Sequence, residues 1–188
     1  MTAAAVADNY ARLLAAARDP KDIATLAFSG VLARFRIRGL DAPALSRLLA
    51  QYFAGTTQSE SPVHGLTSQD AVCTAMSSEE FDELLALLRE HRRDDSEETE
   101  WIARALVSAC AGANHLWQDI ALPNRDALSR LIKHYFPILY YKNSGNLKWK
   151  KFFYRQLCDR AEIRLCKAPS CGVCSDYAQC FGPERARP

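Results

Sequence analysis

The sequence predicts an all-α fold: a single helical domain of about six to eight helices, followed by a cysteine-rich loop at the C-terminus. Three observations carry that expectation. Apolar residues recur at helical spacing from end to end, no stretch shows the strict alternation of a half-buried strand, and the segments are punctuated by helix caps and stops. The 188 residues suit one domain, and a hydrophobic fraction of 48% with 10% aromatics is enough for a real core. Residues 1–163 are expected to form the helical domain and 164–188 a tail packed on it.

The first helix is expected from about Asp8 to Arg18, with Tyr10, Leu13, Leu14 and Ala17 on one face and Pro20 ending it. A second starts after Pro20 and reaches Arg38 on the stripe Ile23, Leu26, Ala27, Val31 and Leu32, with Gly39 as its stop. Asp41 caps the third, where Pro43 fits the first turn, Leu45, Leu48, Leu49, Tyr52 and Phe53 face inward, and Gly55 closes it. Residues 56–66 are polar and turn-rich and hold His64, which reads as an ordinary exposed histidine. Ser77 to Glu80 has the capping-box pattern and launches a helix through Phe81, Leu84, Leu85, Leu87 and Leu88 to Arg92. Ser96 or Thr99 then caps a helix from Trp101 to Ala111.

Asn124 caps a further helix carrying Leu128, Leu131, Ile132, Tyr135 and Phe136; Pro137 stops it, and Tyr140 to Asn146 read as a turn. The last helix runs from about Leu147 to Ile163 through Trp149, Phe152, Phe153, Gln156 and Leu157. Its other face is basic, with Lys148, Lys151 and Arg155. Cys73 and Cys110 sit in apolar surroundings and are expected to be buried as small hydrophobes; Cys158, eight residues before Cys166, is expected in the core beside Leu157, with a spare ligand as its alternative.

No run approaches the ~20 apolar residues of a membrane span, and no basic segment leads into an apolar one at the start, so a soluble, cytoplasmic protein is expected. A phosphate-cradling glycine loop, an HExxH helix and a GxSxG elbow are all missing, and no nucleophile stands with a paired base. A conventional enzyme is therefore not expected. Net charge is +2, but residues 1–124 hold 11 Lys+Arg against 17 Asp+Glu, while residues 125–188 hold 13 against 5. A basic C-terminal part attracts anions, whether nucleic acid, oxyanions or acidic protein surfaces.

Within that part stand Cys166, Cys171, Cys174 and Cys180, at spacing Cx4Cx2Cx5C. Four soft thiolates from one short irregular loop can converge on a tetrahedral ion or a small cluster, and Pro169 and Gly172 help the loop to turn. Structural zinc usually draws on two CxxC knuckles well apart, and only one CxxC exists here; compact spacings suit an iron-sulfur cluster better. Zinc and redox disulfides stay open on spacing alone.

The run from Trp149 to Cys158, the tail from Cys166 to Glu184, and His115-Leu-Trp-Gln-Asp119 together resemble the NifQ family of nitrogen-fixation proteins, over about residues 112–184. The resemblance implies a molybdenum and iron-sulfur protein that supplies molybdenum for assembly of the nitrogenase iron-molybdenum cofactor. It makes Cys166, Cys171, Cys174 and Cys180 ligands of a cluster of the 4Fe-4S or 3Fe-4S type, and implies the nitrogenase iron protein and the cofactor scaffold complex as partners. Molybdate is a dianion, so Lys148, Lys150, Lys151, Arg155, Arg164 and Lys167 would draw it toward the thiolates, dock an acidic partner, or simply solvate the helix. His115 is a candidate extra ligand that Trp117 and Asp119 would orient; the plainer reading is a helix-end histidine bonded to backbone. An alternative from another class is a zinc-stabilised helical regulator or nucleic-acid-binding module using the same basic helix. Because ligation would supply much of the loop's folding energy, the segment Cys166 to Cys180 is expected to be loose until metal is bound.

Overall fold

The computed structural model describes residues 2–54, 76–161, 178, 180 and 182. Among them are α1 (Ala3–Ala16), α2 (Ile23–Arg34), α3 (Ala42–Tyr52), α4 (Ser78–Glu90), α5 (Glu97–Cys110), α6 (Leu116–Asp119), α7 (Arg125–Tyr135), α8 (Pro137–Lys142) and α9 (Trp149–Arg160). The described residues form no named strand; an isolated antiparallel bridge joins Ala17 to Phe53. None of these helices is long and apolar enough to cross a membrane.

Local chemistry sets most helix starts. Thr2, Asp22, Asp41, Ser77, Ser96 and Asn124 each accept a hydrogen bond from the backbone N–H three residues on, which satisfies one of the donors a first turn leaves free. The Thr2 cap starts α1 earlier than the expected Asp8. Glu97, Glu98 and Glu100 likewise bring α5 forward to Ser96, since acids suit the positive end of the helix dipole. The second helix ends at Arg34, short of the expected Arg38, because the chain beyond it finds other partners: the Arg38 N–H donates to Ser108 Oγ at 3.1 Å and its guanidinium to Ser78 Oγ at 2.6 Å. Gly39 follows in the left-handed region at φ 74°.

Pro137 ends α7 as expected but also opens α8, since its fixed φ fits the first helical position and that turn needs no N–H there. Tyr140 and Tyr141 are thus helical rather than part of a turn. The short α6 and α8 raise the helix count above the expected range among the described residues.

The core runs through α2, α5, α7 and α9. Ten residues of α5 are buried, and that helix packs against α2, α4 and α6. Phe28, Ile102, Leu106, Leu131, Phe136 and Phe153 are all inaccessible or nearly so. Each such side chain contributes about 1.5–3 kcal/mol by leaving water. The α9 helix, packed on α4, lays Trp149, Phe152 and Phe153 on this core and leaves its opposite face outward.

Candidate functional site

The site is built on α9. Its buried aromatic stripe fixes the helix in rotation: the Trp149 indole N–H donates to Ser129 Oγ at 3.1 Å, its ring stacks on Tyr140 at 6.5 Å, and the Tyr154 hydroxyl donates to the Glu80 carboxylate. Burial, and then the Glu80 contact, raise the Tyr154 hydroxyl well above its ordinary pKa. With that face locked, the stripe Lys148, Lys151, Arg155 and Cys158, at spacings of three and four, runs along the other side.

Cys180 meets the first turn of that stripe twice. Its carbonyl accepts from the Lys148 N–H at 3.1 Å, and the Lys151 ammonium lies 3.1 Å from its Sγ. The thiol is half-buried and packs against the core. A cation at that distance offsets negative charge on the sulfur. The segment is tied further by the Gly182 N–H, which donates to the Ala178 carbonyl at 2.8 Å. Arg155 stands exposed one turn on, with its Nε 4.0 Å from Asp159 Oδ2.

Lys150, the neighbour of Lys151, points the other way. Its Nζ lies 2.6 Å from Asp119 Oδ2 and donates to the Gly112 carbonyl at 2.6 Å, so it is not one of the cations facing outward. Asp119 is fully buried and accepts from four donors: Lys150, Arg34 Nη1 at 3.0 Å, and the Asn114 backbone N–H and side-chain amide at 3.0 Å each. One carboxylate thereby joins α2, α6 and α9. The fit leaves no room at Gly112, where a Cβ would fall 2.4 Å from the Asp119 carboxyl carbon. Nearby, burial pushes the Cys110 thiol up to about 12, an effect that Lys150 opposes and Asp119 adds to.

The segment from His115 to Asp119 therefore works first as a strap. His115 is the half-buried N-cap of α6, and its N–H donates to Gln118 Oε1 at 3.2 Å, the reach-back of a capping box. Trp117 packs against the core with its indole N–H buried and without a hydrogen-bond partner among the described residues.

Of the sequence-predicted site residues, the structure brings Lys148, Lys151 and Cys180 together on α9 and places Arg155 one turn away. Cys166, Cys171, Cys174 and Lys167 lie outside the described residues, as do Arg164, His64 and Cys73. Cys110 is buried as expected, at 6% exposure. Cys158 differs: it is half-buried on the outward stripe of α9 and not part of the core. Sequence reasoning missed Arg34, Gly112 and Asn114; the one available signal was an aspartate in an apolar segment, between Trp117 and Leu122, with no helix start to cap. No group of three or more His, Cys, Asp or Glu side chains among the described residues is arranged to hold a metal ion. A separate cavity of about 570 Å³ is lined by Arg89, Glu100 and Arg104, whose charges pair with one another at 2.6 and 2.7 Å.

The family model described as NifQ matches residues 21–182 of this chain. Protein NifQ of Azotobacter vinelandii is 38% identical over 151 residues, covering 78% of this chain and 77% of the relative. Protein NifQ of Rhodobacter capsulatus is 45% identical over 87 residues, covering 46% and 48%. Protein NifQ of Klebsiella pneumoniae is 40% identical over 82 residues, covering 43% and 48%. No solved structure matches the chain.

Proposed function

Because the chain belongs to the NifQ family, we propose that it handles molybdenum in nitrogen fixation: it binds the metal on an iron-sulfur cluster and donates it for assembly of the nitrogenase iron-molybdenum cofactor. One observation supports this most: Cys180, the last of four closely spaced thiols, is held on the first turn of α9 with a lysine ammonium 3.1 Å from its sulfur. A thiolate-bound cluster is anionic, and so is molybdate; both suit a thiol beside the Lys151 ammonium. In this reading Cys166, Cys171, Cys174 and Cys180 hold a cluster of the 4Fe-4S or 3Fe-4S type, and His115 is a further ligand. Lys148, Lys151, Arg155 and Lys167 supply the field that brings the oxyanion in.

The chain acts as a metal donor in the cytoplasm rather than as a catalyst. Its partners are the nitrogenase iron protein and the cofactor scaffold complex, which take the metal by contact. Metal analysis of anaerobically purified protein tests the reading. Brown protein with iron, acid-labile sulfide and molybdenum is the expected outcome. One zinc ion and none of these would sink it in favour of a zinc-stabilised helical module.

A further inference from the structure

Only two large apolar side chains are well exposed among the described residues, Ile138 at 51% and Tyr141 at 66%, and both belong to α8. Their spacing of three puts them on one face of that helix, while Leu139 anchors the other face in the core with no exposure. Single exposed apolar residues are ordinary; two side by side on a helix fixed from behind make a patch that water does not favour.

Cations surround the patch. Lys133, exposed near the end of α7, sets its ammonium 5.4 Å from the centre of the Tyr140 ring and 5.9 Å from that of Tyr141. Lys142 follows Tyr141, with its Nζ 3.0 Å from Nε2 of the buried His91. Across residues 125–160 nine Lys+Arg stand against two Asp+Glu. Neither acid is on α8: Asp126 opens α7, and Asp159 sits beside Arg155 in the last turn of α9.

We infer that the exposed face of α8 is a docking surface for an acidic protein surface with an apolar centre. Ile138 and Tyr141 supply the desolvated middle, and Lys133 and Lys142 the charged rim that selects and orients the partner. Nucleic acid fits less well, since single-strand binding needs flat aromatic faces on which bases stack. Here Tyr141 packs edge-on to Tyr140 at 5.3 Å under the Lys133 ammonium, and Ile138 has no π face. A symmetric pair of copies would set the lysines of one patch, Lys133 and Lys142, against those of the other, a like-charge arrangement that costs affinity.

The helix that carries the patch is packed on the start of α9. Tyr140, on α8, stacks on Trp149 in the first turn of α9, next to the Lys148 N–H that holds Cys180. The docking surface rests on exposure and charge and is independent of which metal the thiols carry.

Photo-crosslinking of the full chain tests it, with p-benzoylphenylalanine in place of Tyr141 and irradiation in the expressing cells. The expected product is a crosslink to an Asp/Glu-rich peptide of another protein. Its yield should fall about fivefold or more on Lys133→Glu and on Ile138→Asp, and persist in Lys133→Arg. Both residues are exposed, so melting temperatures of the variants should match the parent. Crosslinks to nucleic acid only, to a second copy, or within the chain overturn the inference, as does a captured protein whose yield ignores Lys133→Glu. Metal content of the purified Lys133→Glu protein should equal that of the parent; its loss would assign Lys133 to metal binding and overturn the docking role.

Discussion

The Lys150 ammonium lies 2.6 Å from Asp119 Oδ2, in a side-chain environment only 17% and 1% exposed for the two partners. The adjacent Lys151 lies 3.1 Å from Cys180 Sγ. Successive residues of a helix are turned about 100° from each other, so one lysine can be structural while the next serves the surface. The buried pair and the aromatic stripe of Trp149, Phe152 and Phe153 together set the rotation of α9, and that rotation determines which side chains meet Cys180. Two lysines in one basic run therefore have opposite expected phenotypes.

Asp119→Ala should destabilise the protein by about 3 kcal/mol or more, because it leaves Lys150 and Arg34 facing a vacated, poorly solvated space. At about 2–4 °C per kcal/mol for a chain of this size, the melting temperature should drop by roughly 6–12 °C. Lys151→Met, at an exposed position, should change stability by less than about 0.5 kcal/mol. Urea unfolding of the two variants compares them directly; equal losses would show that Asp119 does not bear this load.

Gly112→Ala tests the same tie sterically. The new Cβ would fall 2.4 Å from the Asp119 carboxyl carbon, and that carboxylate cannot swing away without leaving four donors. A cost of about 1–3 kcal/mol is expected, as for other overpacked sites. A melting temperature unchanged from the parent would mean that the strap between α5 and α6 yields freely.

Much of the frame was legible because it is local. Asp41, Ser77, Ser96 and Asn124 are capping residues a few positions ahead of an apolar stripe, and each caps as its neighbours suggest. Pro137 was half legible: a residue that cannot continue one helix is also among the best to begin the next. The Asp119 tie was not legible, since its partners lie at positions 34, 114 and 150 and meet only through packing. Periodicity did hold a hint about the lysines. Lys150 is three residues before the buried Phe153, whereas Lys151 shares its stripe with the exposed Arg155. In the candidate site, Cys180 and Lys151 were both named from sequence, but their contact spans 29 positions and needed the fold.

Stability should have limbs at both ends of the pH scale. On the acid side, hydrogen bonds from Ser96, Thr99 and Arg93 hold the Asp94 carboxyl below its ordinary value. Burial alone would raise Glu100, but Arg89 and Arg104 together bring it down. Depressed carboxyls stabilise above their unfolded pKa of about 4 and lose that contribution as pH falls. On the alkaline side, the buried Cys110 thiol is raised to about 12, so its contribution is complete below the unfolded value of about 8.5 and is lost as pH rises toward 12. Unfolding free energy against pH should therefore be flat from about pH 5 to 8 and fall on both sides. Cys110→Ala should delay the alkaline fall, and an unaltered alkaline limb would rule out the thiol as its source.

Charge reversal on the outward face of α9 decides whether that face captures molybdate. Lys151 touches Cys180 and Arg155 follows one turn later, so Lys151→Glu with Arg155→Glu places two negative charges where the oxyanion would approach the sulfur. Both side chains are exposed, and the fold should be kept. Molybdenum loading from molybdate at low salt should fall about tenfold or more, since a local field of this kind changes capture by one to three orders of magnitude. The gap between variant and parent should narrow as salt is raised, because about 0.1 M salt already screens exposed charges beyond ~10 Å. Lys151→Arg with Arg155→Lys keeps the charge and should load like the parent. Loading by the reversed variant equal to the parent's would discard electrostatic capture and leave these cations to a docking or solvating role.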